Sequence, residues 1–176
     1  MIEVNTEKGH GRHIMIKQRN MTSIFLYSDN KILLLYRQGS RIVNNVWIGA
    51  AGGHFEESEL NNAEACVLRE LQEELSISSD MLKKLKLRYI TMRQANGEIR
   101  INYFFFAELP DGDKMELQSN EGILKWFEQE EIMKLDMSFA AHYVMEHYLA
   151  VGQFDELIYG GIADGEKMVF TEIPEF

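Results

Sequence analysis

The stretch LRELQEELSI, residues 68–77, places Glu70, Glu73 and Glu74 in a segment whose leucines recur at helical spacing. On an α-helix these carboxylates fall within one stripe about 100° wide, because successive residues are rotated by roughly 100°. Like charges three or four residues apart repel each other by about 0.2–0.5 kcal/mol per pair. A compensating positive charge is therefore expected beside this stripe, unless the helix merely exposes a glutamate-rich surface to water.

The apolar residues of the same segment predict where the carboxylates lie. We predict a helix over about residues 62–75, with Val67, Leu68, Leu71 and Leu75 facing the core. The carboxylate stripe borders this apolar stripe, at the rim where the helix would meet a sheet. Carboxylate oxygens at such a place suit Mg²⁺, which bridges protein carboxylates to substrate phosphates.

The composition limits the classes of function. The 176 residues are 45% hydrophobic and 26% charged, which predicts a soluble globular chain and a single domain over residues 1–176. The formal net charge of -10 gives no general attraction to nucleic acid or to an anionic membrane. No signal peptide or membrane span is evident, and the single Cys66 fits a reducing compartment, so we expect a cytoplasmic protein.

Strand and helix signals alternate along the chain without a regular βαβ order. The runs MTSIFLY and KILLLYR flank SDN, and LKLRYITMRQ and IRINYFFFAEL flank ANGE, so both pairs are predicted hairpins. Residues 1–20 are predicted to form an N-terminal extension or an extra strand, and residues 154–173 a C-terminal hairpin. Other predicted elements are strands near 46–48 and in GILKWFEQ, and helices in EEIMKL and SFAAHYVMEHYLAV. The expected fold is α+β, an α/β/α sandwich with a sheet flanked by helices.

The residues before the predicted helix complete a longer pattern. Gly53 is followed after five residues by Glu59, and after nine more by RELQEELSI, residues 69–77. This closely resembles the Nudix signature, which has seven residues in the second interval and a glycine where Ser76 stands. The resemblance implies a Nudix-like mixed β-sheet flanked by helices, with a loop–helix–loop that holds a divalent metal ion against a diphosphate.

The two departures from the signature leave the carboxylate geometry unchanged. The extra residues fall around LNN, residues 60–62, where an insertion costs little loop-closure entropy. They leave Glu56 and Glu57 as alternatives to Glu59 in its role. Ser76 ends the predicted helix, where a left-handed residue is usual, and is expected to cost about 1 kcal/mol there.

The resemblance also implies how a metal ion would be held. It makes Glu70 and Glu74 the main ligands of Mg²⁺, with Mn²⁺ as an alternative, and Glu73 a further ligand or a group that positions water. A backbone carbonyl of the paired glycines, here Gly52, also reaches the metal in the family. Arg69 would orient the carboxylates by ion pairing, the alternative being an exposed salt bridge.

The general base has two candidates. In some family members it is the glutamate after the motif arginine, here Glu70, and in others a carboxylate from a later loop. Glu121 precedes a predicted aromatic-rich strand and is the candidate for that second role, as a base or a metal ligand, against the alternative of an ordinary loop glutamate.

Several other residues are predicted to contact substrate. A cation such as Arg37 often faces the phosphates in the family, and an aromatic wall would stack on a purine with about 1–3 kcal/mol per base. Aromatic residues that alternate along strands are also typical of a core. The substrate-binding candidates are Arg37, Gly53, His54, Glu59, Tyr103 and Trp126.

The run MTSIFLYSDNKILLLYR, the small size and the terminal hairpin of FDELIYGG and MVFTEI look similar to the MutT-like branch of the family. That resemblance implies hydrolysis of a nucleoside triphosphate to a monophosphate and pyrophosphate, with oxidised purine nucleotides such as 8-oxo-dGTP as candidates. Alternatives are another nucleoside diphosphate linked to a group X, such as ADP-ribose or a dinucleotide, and a non-catalytic nucleotide-sensing module, against which the intact carboxylates argue. An isoprenoid diphosphate isomerase is poorly supported by one helical Cys66. The expected partner is a small nucleotide, with no nucleic acid polymer and no membrane, and a homodimer is left open.

Overall fold

The computed structural model of the chain describes residues 16–38 and 45–175. Its eight strands are β1 (Lys17–Ser28), β2 (Lys31–Arg37), β3 (Val46–Gly49), β4 (Lys83–Ala95), β5 (Glu98–Glu108), β6 (Gly122–Glu128), β7 (Ile158–Ala163) and β8 (Met168–Ile173). They form one mixed sheet in the order β3-β2-β1-β5-β4-β7-β8, and β6 pairs with β2 outside this path. The pairs β1·β5 and β4·β7 are parallel, and the other pairs are antiparallel.

Helices cover both faces of this sheet. They are α1 (Ala63–Leu75), α2 (Gln129–Ile132) and α3 (Phe139–Ala150), with short 3-10 turns at Glu57–Glu59, Ser79–Met81, Gly112–Lys114 and Gly152–Phe154. Buried residues of α1 pack in one core cluster, and those of α2 and α3 pack in the other. The expected α+β sandwich is confirmed.

Alternation along the central strands builds the two cores. In β1 the side chain of Phe25 joins the α3 side, while Ile24 and Leu26 join the α1 side. In β5 Phe104 belongs to the α3 side and Phe105 to the α1 side. A strand buried on both faces needs apolar residues at consecutive positions, which explains the run Phe104–Phe106.

Helix α1 has the predicted limits and the predicted apolar face. The Asn62 side chain caps its start by accepting a hydrogen bond from the Ala65 N–H at 3.0 Å. Val67, Leu71 and Leu75 are buried, and Leu68 packs against the same cluster. The helix ends at a left-handed residue, as its sequence predicts.

The two ends of the chain extend the sheet. Strand β1 begins at Lys17, so part of the predicted extra strand exists, while residues 1–15 lie outside the described residues. Strands β7 and β8 pair antiparallel from Ile158↔Ile173 to Ala163↔Met168, within the segment 154–173 for which a hairpin is predicted. Among the described residues, no helix is both long enough and apolar enough to cross a membrane.

Replacing Ser76 by glycine is expected to raise the free energy of unfolding by about 0.5–1 kcal/mol. Ser76 has φ 56° and ψ 31°, and glycine adopts these angles without a Cβ clash. Equilibrium urea denaturation measures the change. The control Ser79→Gly, at a position without positive φ, should lower stability by up to about 1 kcal/mol. A loss of stability in Ser76→Gly would contradict the strain assigned to this helix end.

Candidate active site

The guanidinium of Arg69 forms a bidentate ion pair with the carboxylate of Glu59. Its Nε donates to Glu59 Oε1 at 2.8 Å, and its Nη2 donates to Oε2 at 3.0 Å. The Glu56 N–H donates to the same Oε2 at 2.9 Å. These bonds, led by those from Arg69, hold the pKa of Glu59 down at about 2 although burial opposes them.

This pair settles which glutamate precedes the helix in the motif. Glu59 is only 7% exposed and engages Arg69, whereas the Glu56 carboxylate stays 4.0 Å from Arg69 Nε. Glu59 is therefore bound to Arg69. It does not line the cavity beside the carboxylates. Its position supports the loop, although the sequence grouped it with the substrate-binding residues.

Arg69 also supplies the positive charge that the carboxylate stripe needs. Its Nη1 donates to Glu70 Oε1 at 2.9 Å and to Glu73 Oε2 at 3.2 Å. Its Nη2 donates to the His54 carbonyl at 3.1 Å. The two carboxylates differ in burial, since the Glu70 side chain is 13% exposed and that of Glu73 is 60% exposed.

The paired glycines lie directly against this helix. A Cβ on Gly53 would be 2.2 Å from Glu70 Oε1, so a side chain there would displace the carboxylate. The Gly52 N–H donates to Glu74 Oε2 at 3.2 Å, and Gly52 has a φ of 147°. The Thr22 N–H donates to the Gly53 carbonyl at 2.8 Å, which ties the glycines to β1. The glycines therefore allow the loop to approach the two carboxylates closely.

A second carboxylate comes to Glu74 from the loop before β6. Burial raises the pKa of Glu74 to about 8, and the charges of Glu121 and Glu70 add to this rise against the Gly52 N–H. Glu121 Oε2 is buried and accepts no hydrogen bond from the residues that the structure describes, although Arg37 Nη1 forms an ion pair with it at 3.0 Å. The sequence-predicted residues Glu70, Glu74, Glu121 and Arg37 are thus brought together.

The donors at this place fit a divalent cation. Among residues 16–38 and 45–175, no three carboxylate, histidine or cysteine side chains are already grouped as ligands of one ion. The arginines explain this, because Arg69 holds Glu70 and Glu73 while Arg37 holds Glu121. The charges of Glu121 and Glu70 contribute to the raised pKa of Glu74, and this repulsion between carboxylates is what a hard cation would offset.

A cavity of about 180 Å³ opens beside these carboxylates. It lies on the α3 side of the sheet, between β1, β5 and the start of α3. Its polar and charged lining comprises Arg19, Thr22, Ser23, Arg37, His54, Glu74, Arg93, Arg100, Asn102, Glu121 and Ser138. The site therefore combines a carboxylate cluster with a basic chamber.

Two of the predicted aromatic contacts do not reach this cavity. The Tyr103 ring packs 5.2 Å from the Phe55 ring, and Trp126 packs against the core cluster on the α1 side. Side chains alternate along a strand, so Phe104, next to Tyr103, is the β5 aromatic residue that lines the cavity. The sequence could not predict which face of β5 carries Tyr103, because the residues on both faces of this strand are apolar.

Sequence reasoning missed the arginines of this cavity, Arg19, Arg93 and Arg100. A signal for two of them was present, since Arg93 and Arg100 flank the Asn96–Gly97 turn at matching positions of a hairpin. His54 lies beside them, and its Nε2 accepts a hydrogen bond from Arg19 Nε at 3.1 Å. Burial and then the charge of Arg19 lower the pKa of His54, so its ring is neutral at pH 7.

Replacing Glu59 by glutamine is expected to lower the free energy of unfolding at pH 7 by about 1.5–3 kcal/mol, as for loss of hydrogen bonds to a charged group. A carboxyl whose folded pKa is lowered stabilises above its unfolded pKa of about 4.5 and loses this effect as the pH falls toward 2. The difference between wild type and Glu59→Gln should therefore shrink in that window. Urea denaturation from pH 7 to pH 2.5 measures it.

Glu57→Gln is the matched control, because Glu57 lies exposed in the same 3-10 turn. We expect its unfolding free energy to stay within about 0.5 kcal/mol of wild type. Equal losses in the two variants at pH 7 would show that the pair with Arg69 does not secure this loop.

Comparisons with known proteins agree with this geometry. The NUDIX domain family matches residues 17–148, three quarters of the chain. A mutator MutT protein of Bacillus halodurans has a similar structure, with a TM-score of 0.62 at 22% identity, covering 90% of this chain and 99% of that one.

Two further solved structures are similar at lower identity. A Caenorhabditis elegans Ap4A hydrolase has a TM-score of 0.62 at 17% identity, covering 78% of this chain and 99% of that one. The NUDIX domain of Shewanella oneidensis NrtR, solved with ADP ribose, has a TM-score of 0.59 at 17% identity, covering 80% of this chain and 91% of that one. The comparison with curated proteins gave no match. With its signature helix, its mixed sheet and a family match over most of its length, the chain belongs to the Nudix family.

Proposed function

We propose that the protein hydrolyses a phosphoanhydride linkage of a nucleotide with the help of a divalent cation. The observation that carries this proposal is the meeting of Glu70, Glu74 and Glu121 against Gly52 and Gly53, at the mouth of a basic cavity. The first candidate reaction converts a nucleoside triphosphate to a monophosphate and pyrophosphate, and oxidised purine nucleotides are candidate substrates. The fold shared with a MutT protein supports it.

The chain's own residues have distinct tasks in this reaction. Glu70, Glu74 and Glu121 would hold Mg²⁺ or Mn²⁺, with Glu73 at the exposed edge and the carbonyl of Gly52 as a further donor. Such an ion, when bound, neutralises phosphoryl oxygens and lowers the pKa of an attacking water. Arg69 keeps the Glu70 carboxylate oriented through its bond at 2.9 Å.

Arg37 and Glu121 are placed to act on the substrate itself. Both line the cavity, and their charged ends are 3.0 Å apart. The Arg37 guanidinium offers further donors to a phosphoryl oxygen. Glu121 Oε2 has an ion-pair contact with Arg37 Nη1 at 3.0 Å but accepts no hydrogen bond from the described residues, whereas Glu70 Oε1 accepts one from Arg69 at 2.9 Å. Glu121 is therefore our candidate for the general base.

A second candidate reaction is favoured by the lining of the cavity. Its walls carry four arginines, and Tyr103 and Trp126 lie on the other side of the sheet. Phe104 offers one aromatic ring for a nucleobase, whereas the four guanidinium groups suit anionic partners. This lining favours a nucleoside diphosphate linked to a group X over a nucleoside triphosphate.

Replacing Glu74 by glutamine is expected to reduce turnover by several orders of magnitude. The amide removes a negative charge from the carboxylate cluster and a hydrogen-bond acceptor from the Gly52 N–H. Steady-state rates and the affinity for Mn²⁺ are the measurements. The control Glu64→Gln changes an exposed glutamate in the first turn of the same helix and should keep wild-type values. Near-normal turnover in Glu74→Gln would contradict the ligand assignment.

A substrate panel separates the two candidate reactions. We expect pyrophosphate from at least one canonical or oxidised nucleoside triphosphate if the first is correct, and a monophosphate from ADP-ribose or a related compound if the second is correct. Both activities should require Mg²⁺ or Mn²⁺ and stop in EDTA. Hydrolysis that continues unchanged in EDTA would contradict the proposed chemistry.

A further inference from the structure

Three arginines stand side by side on neighbouring strands of the sheet. Arg19 in β1 is in register with Arg100 in β5, and Arg100 is in register with Arg93 in β4. All three line the cavity, so they share one face of the sheet. We call these three residues the arginine row. A chain with a net charge of -10 has thus gathered cations at one place beside its candidate active site.

Protein carboxylates neutralise this row only in part. Glu98 lies 3.6 Å from Arg19 Nη1 and 3.7 Å from Arg100 Nε, and it is more tightly engaged by Lys17 at 2.6 Å. Within the described residues, no carboxylate lies at ion-pair distance from Arg93. The row therefore carries more positive charge than the carboxylates around it balance.

Two buried donors of the row have no acceptor. The Nε atoms of Arg93 and Arg100 are shielded from solvent, and neither makes a hydrogen bond within the described part of the chain. Burial, and then the charge of Arg100, lower the pKa of Arg93. Unpaired buried guanidinium donors are costly, so their presence in a cavity points to an acceptor that comes from outside the protein.

The opposite wall of the cavity is also suited to negative charge. Ser138, Ala140 and Ala141, at the start of α3, line it. Helix α3 has twelve residues, its first turn contains no acidic residue, and the side chain of its N-cap residue, Ser138, makes no capping hydrogen bond. The free N–H groups and the dipole of such a helix start attract anions. This wall is independent of the arginines and favours the same class of ligand.

We propose that the cavity between the arginine row and the start of α3 binds an anionic group, a phosphate or a carboxylate, on the part of the substrate beyond the scissile diphosphate. The inference rests on the proposed hydrolysis and narrows it to nucleoside diphosphates linked to an anionic X. Arg93 lies over the Phe139 ring at 5.5 Å, which holds its guanidinium at the cavity. A neutral X would leave both Nε donors without a partner.

A binding experiment isolates the anion site from the chemistry. Inorganic phosphate is titrated calorimetrically into the protein in EDTA, so that no metal ion at the carboxylates can hold the phosphate. We expect saturable binding of one phosphate per chain, weakened at least tenfold in Arg93→Gln and in Arg100→Gln. Arg93→Lys, which keeps the charge, should lose less.

Lys86→Gln is the matched control, because it removes a cation from the same strand β4 where Lys86 pairs with Glu156 outside the cavity. Its phosphate affinity should equal that of wild type. Thermal unfolding checks the fold of each variant, and a single cooperative transition is expected for Arg93→Gln and for Lys86→Gln. Absence of phosphate binding, or equal affinity in Arg93→Gln and the control, would overturn the proposal.

Hydrolysis of paired substrates then identifies the anionic group. One pair is UDP-glucose and UDP-glucuronate, which tests a carboxylate, and the other is ADP-ribose with and without a phosphate on its terminal ribose. We expect kcat/KM to be at least tenfold higher for the charged member of one pair, with this preference lost in Arg93→Gln and kept in Lys86→Gln. Equal kcat/KM within both pairs would overturn the inference.

The two proposals fail in different ways. Arginine-dependent phosphate binding with no hydrolysis of any diphosphate would support the anion site and overturn the proposed function. Metal-dependent hydrolysis with no preference for a charged substrate would support the function and overturn the anion site.

Discussion

The contact on which the site depends is the pair between Arg69 and Glu59. Glu59 belongs to the turn that precedes α1, and Arg69 to the helix itself, so the two bonds at 2.8 and 3.0 Å join the loop to the helix. The remaining nitrogens of the same guanidinium reach Glu70, Glu73 and the His54 carbonyl. One planar group with a fixed fork of donors thus fixes the backbone on one side and the carboxylates on the other. A lysine has no such geometry.

This pair also explains why a longer loop is tolerated. The signature of the family has seven residues between the glutamate and the arginine, and this chain has nine. The added residues fall in a tight turn at 60–62, where the Asn62 N–H donates to the Glu59 carbonyl at 2.7 Å and the Asn62 side chain then caps α1. The site requires that the side chains of Glu59 and Arg69 meet, whatever the number of residues between them. Two more residues are tolerated because the entropic cost of closing a loop rises slowly with loop length.

The sequence predicted those features that depend on local periodicity. The limits of α1, its carboxylate stripe and the hairpin around Asn96–Gly97 follow from spacings of two to four residues, and all three are present. The face of Tyr103 could not be predicted, because β5 is apolar toward both cores, and Trp126 has an aromatic neighbour, Phe127, on the opposite face of β6. The pairing of Arg19 with Arg100 was also beyond reach, since β1 and β5 are parallel and far apart in the sequence.

Within the site, the carboxylates lie at the mouth of the cavity and the arginines lie inside it, and this arrangement determines where an anionic substrate is attracted. The whole chain carries a net charge of -10 and repels such a substrate at long range, but salt screens this repulsion beyond about 8–10 Å. Inside the cavity, burial weakens screening, and the arginine row and the start of α3 act at short range. On our two proposals, a cation at the carboxylates would hold the diphosphate, and the arginine row would hold an anionic group beyond it. Because the arginine row lies apart from the carboxylates, it can select the substrate whether or not the cation is bound.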